Sequence, residues 1–382
     1  MASVAVRLGG LYGGYFLFLG LFSPYWPLWL KSHGLGIEVI GWLVALTQIL
    51  KVMSAPLIAQ LSDLTGRRRV ILLTAALLSP LLFGLFGLAQ TVWALFLVTA
   101  LLHLVLPAIM PLSEQMALAA ARRGELDYGR TRAVGSLTFL VAAYVGGVVI
   151  AVSSVNSLFW MLWAALGLTA LAALFLPQDD AAPRSTGAGR LSFGPIAGLL
   201  RQPGFARMLA TVSLLHASHA MLYVSGTLHW QAHGIGTATI GGLWAVGVVA
   251  EILLFLSARR WIERWSLSHI LMGTGALGVV RWGVTAVTLD LTVLFGIQIL
   301  HGVTYGVTHM AAMRYLGRAV PEHRTATAQA LYSAIPMGLA SGTALALSGV
   351  FYDRLGGGAF WIMAGFCGLA FWIARRIRLP AS

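Results

Sequence analysis

The chain has 382 residues, of which 58% are hydrophobic and 10% are charged, and its mean hydropathy is +0.84. No soluble domain of ordinary composition is this apolar, so the composition predicts a polytopic membrane protein. The formal net charge of +13 comes mainly from arginines in the short connections between apolar blocks. That distribution reports membrane topology, and it does not indicate a nucleic-acid partner.

Twelve apolar segments are long enough to cross a bilayer, at about 20 residues per crossing. The sequence therefore predicts an all-α membrane protein with spans at residues 8–30, 38–61, 70–90, 92–121, 131–152, 156–176, 205–231, 238–258, 267–289, 291–317, 325–350 and 358–376. Arginines concentrate at both termini and in every second connection, including the central loop at 177–204. We therefore expect both termini and this loop to be cytoplasmic.

An internal repeat relates the two halves of the chain, which we place at residues 1–176 and 205–382. Residues 31–41 read KSHGLGIEVIG and residues 231–241 read QAHGIGTATIG. Each copy follows the first span of its half and opens the second. Two equivalent halves of six helices are typical of one large transporter architecture.

The sequence gives no sign of an enzyme. Cys367 is the only cysteine, which excludes a disulfide and a cysteine-based metal site. The sequence also contains no Gly-rich phosphate loop with a lysine, no HExxH motif and no paired catalytic carboxylates. We expect no metal and no organic cofactor. The first apolar block is too long for a signal peptide and is expected to be retained as a helix.

The tenth span carries polar chemistry inside an apolar segment. On a 3.6-residue period His301, Thr304, Tyr305, Thr308 and His309 fall on one face, which must point toward protein or water rather than lipid. The alternative is that the histidines only bond to neighbouring carbonyls. A second polar stripe, on the seventh span, consists of His216, His219, Tyr223 and Thr227, and packing is the expected role of each histidine there.

Lys51, Glu114, Glu251 and Arg281 are charged residues inside apolar spans. Charged side chains persist in membrane segments only with partners or with a task. Glu251 is a candidate proton carrier, although a static salt bridge to Arg281 would also explain it. Glu114 could act in solute binding or could pair with one of the two arginines that end its span, Arg122 and Arg123.

The connection after the second span reads AQLSDLTGRRRVI at residues 59–71. Asp63, Gly66, Arg67 and Arg68 suit a tight loop in which a carboxylate and guanidinium groups pair across helix ends and separate when helices move. This motif resembles the loop signature of the major facilitator superfamily. A second copy after the eighth span, ARRWIERW, keeps the arginines but lacks the Asp-x-x-Gly spacing.

Three further stretches resemble the phenylpropionic acid permeases and, more distantly, the lactose permease group of oligosaccharide:proton symporters. They read SPYWPLWLKSHGLGIEVIG, LDYGRTRAVGSLTF and LHGVTYGVTHMAAMRYL. The resemblance implies the major facilitator fold and a Glu114–Arg132 pair that contacts solute. It also implies proton machinery at Glu251, Arg281 and His301. Thr304 stands where the lactose group has an acid, so that group's proton-carrying step does not transfer.

The resulting expectation is an alternating-access secondary transporter, a monomer in the cell membrane (the inner membrane in a bacterium), that moves a proton with a small organic solute. The resemblance implies an aromatic carboxylate, and the mid-span cations Lys51 and Arg281 give that expectation a physical reason. The expected solute-binding residues are Lys51, Glu114, Arg132, Tyr12, Tyr15, His309 and Thr304. A sugar or nucleoside symporter and a proton-linked drug exporter remain alternatives, as do a membrane sensor and a non-transporting structural protein.

Overall fold

The structure is a computed structural model that describes residues 3–177, 193–257, 262–321 and 324–377. Within these ranges the chain is helical apart from turns and short connections, and no strand occurs. The predicted all-α class is confirmed.

Seven helices form the first half: α1 Val4–Ser32, α2 Ile37–Thr65, α3 Arg68–Gly84, α4 Val92–Val105, α5 Ile109–Arg122, α6 Tyr128–Val152 and α7 Ser157–Leu174. Side-chain caps fix where α4 and α6 begin. The Thr91 hydroxyl accepts a hydrogen bond from the backbone N–H of Ala94, and the Asp127 carboxylate accepts one from that of Arg130. A 3-10 turn at Leu106–Ala108, which contains a proline, joins α4 to α5 within one crossing.

The described residues of the rest of the chain form ten further helices: α8 Phe193–Leu200, α9 Pro203–Ala217, α10 Thr227–Ala232, α11 Thr237–Ser257, α12 Leu267–Val287, α13 Leu291–Gln298, α14 Thr308–Ala319, α15 Thr325–Tyr332, α16 Ser341–Leu355 and α17 Phe360–Ala374. Three π-helical segments interrupt the crossings: Leu222–Gly226 between α9 and α10, Gly302–Val307 between α13 and α14, and Ser333–Ala340 between α15 and α16.

Eleven stretches of the described chain are long and apolar enough to cross a membrane. The last, Thr327–Ala374, has 48 residues. At 1.5 Å per residue it would extend about 72 Å, more than twice the roughly 30 Å hydrocarbon core. It is divided where α16 ends at Leu355, because Gly356 has φ 54° and a 3-10 turn leads into α17. These stretches therefore make twelve crossings, as predicted.

The chain forms two compact units. Among the described residues, unit 1 comprises 3–35, 49–177 and 236–242, and unit 2 comprises 36–48, 193–235, 243–257, 262–321 and 324–377. Each unit thus contains most of one sequence half together with the start of one helix from the other half.

A hydrogen bond accompanies each of the two short segments that cluster with the other half of the chain, residues 236–242 in unit 1 and residues 36–48 in unit 2. Within unit 1, the Thr237 hydroxyl at the start of α11 donates to the carbonyl oxygen of Gly147 on α6 at 2.8 Å. Within unit 2, the Gln48 amide of α2 donates to the carbonyl oxygen of Met337 at 2.6 Å. The domain boundaries predicted from the central loop do not include this exchange, since partner choice between distant helices leaves no local sequence signal.

The internal repeat has the same backbone conformation in both copies. Gly34 and Gly234 follow α1 and α10 with φ values of 83° and 84°, the left-handed conformation that ends a helix. Beside them, the Nδ1 atoms of His33 and His233 lie 2.9 and 2.7 Å from the carbonyl oxygens four residues earlier. Each histidine thus bonds to a carbonyl in the last turn of the helix that it follows.

The loop between α2 and α3 turns at Gly66, whose φ is 65°. Its backbone N–H donates to the carbonyl oxygen of Ser62 at 2.9 Å, and α3 begins after Arg67. The Arg69 guanidinium donates to the carbonyl oxygen of Leu176 at 3.1 Å and so holds this loop to the end of the sixth crossing. The side chain of Asp63, the predicted gating carboxylate, lies outside the described residues.

Candidate functional sites

Arg281 on α12 is the centre of a hydrogen-bonded cluster in unit 2, and its side chain is 0% exposed. One terminal nitrogen lies 2.7 Å from the Thr304 hydroxyl and 3.1 Å from Nε2 of His219. The other lies 3.1 Å from Oε1 of Gln298 and 3.2 Å from Nδ1 of His301. Both terminal nitrogens are therefore occupied by uncharged protein acceptors, which leaves no room for a solute carboxylate in this arrangement.

The guanidinium determines the tautomers of both histidines. Arginine can only donate, so the ring nitrogen that faces it must be an unprotonated acceptor. His219 accepts at Nε2 and carries its proton on Nδ1, which lies 3.0 Å from the carbonyl oxygen of Leu215. His301 accepts at Nδ1 and therefore carries its proton on Nε2. Both imidazoles are neutral while Arg281 remains in place.

Glu251 on α11 faces the protonated side of His301. Its Oε2 lies 3.6 Å from Nε2 of His301, so the imidazole bridges Arg281 and Glu251. Close packing of backbones creates this juxtaposition. A Cβ atom at Gly302 would lie 2.8 Å from the carbonyl oxygen of Ala250, and one at Gly247 would lie 3.3 Å from Cβ of His301.

A second polar cluster of unit 2 joins three helices through one phenol. The Tyr332 hydroxyl lies 3.1 Å from Nε2 of His216 and 2.8 Å from Nδ1 of His309. A phenol has one proton to donate, so one of these histidines donates to its oxygen. His216 fits that role because its Nδ1 is buried without a hydrogen-bond partner among the described residues, and an unpaired lone pair costs less there than an unpaired N–H.

The predicted face of the tenth span is only partly correct. The expected 3.6-residue period is wrong over Gly302–Val307, because this segment is π-helical and its wider turns change which side chains share a face. Thr304 and Thr308 are fully buried, and Thr308 donates to the backbone of Thr304 at 2.7 Å. Thr304 and His309, predicted to bind solute, instead bond to Arg281 and Tyr332 in this structure.

In unit 1, Glu114 on α5 pairs with Arg132 on α6, as the family resemblance implied. The Arg132 Nε lies 3.0 Å from Oε1 of Glu114, and the Tyr128 hydroxyl donates to Oε2. The Arg132 guanidinium also lies 4.3 Å from the ring centroid of Phe16, a cation–π contact. The two alternative partners of Glu114 at the end of α5 bond elsewhere. The Arg122 guanidinium donates to the carbonyl oxygen of Leu118, and Arg123 pairs with Glu125.

Lys51 lies near the middle of α2, and its side chain is exposed. It forms no ion pair with any residue that the structure describes. Its neighbour His103 on α4 is within electrostatic range of its ammonium group. One turn further along α2, the Ser54 hydroxyl donates to the His103 carbonyl oxygen at 3.3 Å, which fixes α2 against α4 at this level.

Tyr12 and Tyr15 on α1, predicted to stack on a solute ring, are 1% and 6% exposed. The Tyr12 ring packs 5.6 Å from the Arg132 guanidinium. Neither tyrosine offers a free ring face in this conformation, so their solute-binding role stays a prediction that this structure does not favour.

Sequence reasoning missed several participants. It assigned only packing to His219, which bonds to Arg281, and it gave no role to Gln298, Tyr128 or Tyr332. Polar residues at helical spacing were the available signal for His219. For the other three no local pattern marks the contact, because their partners lie on different helices.

Comparison with known proteins identifies the class that these features define. The sequence model of the MFS_1 like family matches residues 5–363. The chain therefore belongs to this family of the major facilitator superfamily, whose members are transporters and not enzymes.

Two relatives match over almost their whole length. The "Probable 3-phenylpropionic acid transporter" of Escherichia coli (strain K12) is 33% identical over 353 residues, which cover 92% of each chain. The "Maltose permease" of Geobacillus stearothermophilus is 30% identical over 368 residues, which cover 92% of this chain and 90% of the permease. The resemblance to transporters of this superfamily is confirmed.

Solved structures show the same fold at low identity. The crystal structure of nucleoside transporter NupG superimposes with a TM-score of 0.82 at 14% identity, covering 98% of this chain and 99% of that chain. A bacterial homolog to the human lysosomal transporter Spinster gives a TM-score of 0.72 at 15% identity, covering 99% of this chain and 98% of the other. The chain is thus a multi-pass membrane transporter with the major facilitator fold.

Proposed function

We propose that this transporter is a proton-coupled symporter of an aromatic carboxylate that works by alternating access. We place it as a monomer in the cell membrane, which is the inner membrane if the source is a bacterium, with both termini in the cytoplasm. The relative named for 3-phenylpropionic acid supports the solute class. The arginine-rich connections support the orientation.

The observation that carries the proposal is that the Lys51 side chain is exposed in the middle of a membrane span. At about 1.5 Å per residue it lies roughly 20 Å from either end of α2, near the middle of the bilayer. An exposed ammonium at that depth cannot face hydrocarbon without a large cost, so it faces a space that water or solute reaches. A solute carboxylate would supply the negative charge and a charge-assisted hydrogen bond.

Arg281, the other mid-span cation, does not compete for that role. Its terminal nitrogens already bond to four protein acceptors, and its side chain is buried. The Glu114–Arg132 pair is likewise neutral as a unit. Because these two arginines already have partners, Lys51 is the mid-span cation best placed to select an anionic solute.

Glu251 is the group best suited to carry the proton. His219 and His301 each accept a hydrogen bond from Arg281, which opposes their protonation at the bonded nitrogen. Arg281, the two neutral imidazoles and an ionised Glu251 sum to zero charge, and protonation of Glu251 raises the sum to +1. The added charge is next to His301, which lies between Glu251 and Arg281. Binding of the proton therefore alters the electrostatic interactions that hold α11 against the π-helical segment.

A neutral sugar or nucleoside is the second candidate solute. The relative named maltose permease favours it, and the Glu114–Arg132 pair offers both an acceptor and a donor for hydroxyl groups. In that case Lys51 would have no carboxylate to bind, and the affinity for the solute would not require its charge.

Binding by the purified full-length protein decides between these solutes. We expect 3-phenylpropionate to bind, Lys51→Met to eliminate that binding, and the amide of the same acid to bind weakly to both proteins. Thermal stabilisation by each compound reports binding, because a ligand of the folded state raises apparent stability. An acid affinity unchanged by Lys51→Met would overturn the proposal, and stabilisation by maltose or a nucleoside alone would establish the neutral-solute function.

A further inference from the structure

A column of aromatic rings runs along α1 in unit 1. The ring centroids of Phe18 and Phe22 are 5.1 Å apart at an interplanar angle of 26°, and those of Phe22 and Trp26 are 5.2 Å apart at 18°. Phe18 and Trp26 are fully buried, whereas Phe22 between them is only half-buried. Phe22 therefore combines a position fixed by its neighbours with an accessible apolar edge.

His103 on α4 lies beside this accessible ring, with centroids 5.8 Å apart. Its Nδ1 lies 3.0 Å from the carbonyl oxygen of Thr99 and must donate to it. The other nitrogen, Nε2, therefore holds a lone pair when the ring is neutral. A lone pair repels a carboxylate but accepts a hydrogen bond from an ammonium, so His103 suits Lys51 as a partner.

Helix packing places Lys51 of α2 within one helical turn of the contact between α2 and His103 of α4. Ser54 bonds to the backbone of His103, and Lys51 precedes Ser54 by three residues, which places both on one side of α2. The Lys51 ammonium is within electrostatic range of the His103 ring. An apolar ring edge, an imidazole acceptor and an ammonium thus lie together in one unit, contributed by α1, α4 and α2.

We propose that Phe22, His103 and Lys51 form the aryl-carboxylate site of unit 1, with Phe22 as the residue that selects the aromatic ring. Lys51 binds the carboxylate, His103 orients the ammonium, and the solute ring packs on the accessible edge of Phe22. This inference rests on the proposed aromatic carboxylate. It moves the ring-binding role from Tyr12 and Tyr15, which are buried, to a side chain that a solute can reach.

The arrangement makes a specific prediction about selectivity. A solute with a ring gains contact with Phe22, whereas an aliphatic acid of similar length depends on Lys51 alone. Aromatic pairs contribute about 0.5–1.5 kcal/mol beyond the area they bury, which corresponds to roughly two- to tenfold in affinity. Removal of the ring at position 22 should therefore reduce the preference for an aryl acid by about this factor.

The test compares 3-phenylpropionate with hexanoate on the purified full-length protein. We expect Phe22→Leu to weaken 3-phenylpropionate roughly two- to tenfold and to leave hexanoate unchanged. Phe22→Tyr keeps the ring and should keep the wild-type ratio of the two affinities. Phe175→Leu makes the same change at an exposed residue that follows α7, and it should change neither affinity. The thermal unfolding midpoint of each variant without ligand verifies that it is folded.

The outcomes separate this inference from the proposed function. If both acids bind the wild type and Lys51→Met eliminates both, but Phe22→Leu leaves their ratio unchanged, the Phe22 assignment is wrong and the anion transporter stands. An equal loss of both acids with Phe22→Leu also overturns the assignment. If neither acid binds the wild type, the proposed function and this inference both fail.

Discussion

Nδ1 of His301 lies 3.2 Å from a terminal nitrogen of Arg281, and this one contact fixes which side of the imidazole faces Glu251. Because the guanidinium cannot accept, His301 must present its Nε2–H toward the carboxylate 3.6 Å away. A residue that sequence analysis grouped with the proton machinery is thus a neutral bridge, and the ability to change charge is left to Glu251.

Arg281 should be a major determinant of stability in unit 2. Arg281→Met removes the donors of His219, His301, Gln298 and Thr304, and each buried acceptor left unpaired costs about 1–3 kcal/mol. We expect the free energy of unfolding to fall by at least about 1–3 kcal/mol, measured by thermal or denaturant unfolding in detergent.

Arg130→Met is the matched control, since Arg130 is exposed at the start of α6. Substitutions at such sites usually change stability by less than about 0.5 kcal/mol. Equal effects of the two substitutions would contradict the structural role assigned to Arg281.

Gly302 should be required for the contact between His301 and Glu251. An alanine methyl at this position would lie 2.8 Å from the carbonyl oxygen of Ala250, so Gly302→Ala must push the π segment away from α11. Overpacking of this kind costs about 1–3 kcal/mol. We expect lower stability together with weaker coupling of solute uptake to a pH gradient.

Gly296→Ala provides the comparison on the same crossing. A Cβ at Gly296 meets no atom within 4 Å, and alanine is favoured over glycine within a helix by roughly 0.5–1 kcal/mol. That variant should be as stable as the wild type or more so. A stable, fully coupled Gly302→Ala protein would show that the close approach has no role.

The proposed orientation can be tested with reporter fusions. A reporter within residues 180–190 or at either terminus should report the cytoplasm, and one within 33–36 or 232–236 should report the opposite side. The physical basis is the bias of arginine toward cytoplasmic connections. An external signal from the central loop would exclude the orientation.

The sequence predicted those features that depend on local composition. Twenty-residue apolar segments identified the spans, and the turns at Gly34 and Gly234 were visible as a repeated motif. The Glu114–Arg132 pair was predicted from the family resemblance, since the two residues flank a single loop.

The partners of Arg281 could not be predicted in the same way. They lie on helices far apart in sequence, and which ones meet depends on how closely the backbones pack, as at Gly302. The π-helical turns were missed for a related reason. A hydrophobic period of 3.6 residues assumes regular α-helix, and the inserted residue that widens a turn has no signature in composition.

Proton movement during solute uptake tests the central claim most directly. The measurement uses weakly buffered proteoliposomes that contain the wild-type protein. Addition of external 3-phenylpropionate should raise the external pH faster than it does with protein-free liposomes. The protein-free liposomes correct for diffusion of the neutral acid through lipid. Glu251→Gln should eliminate this protein-dependent alkalinisation and retain exchange between internal and external solute. Protein-dependent uptake by the wild type without a pH change, or the same pH change with Glu251→Gln, would contradict proton symport through Glu251.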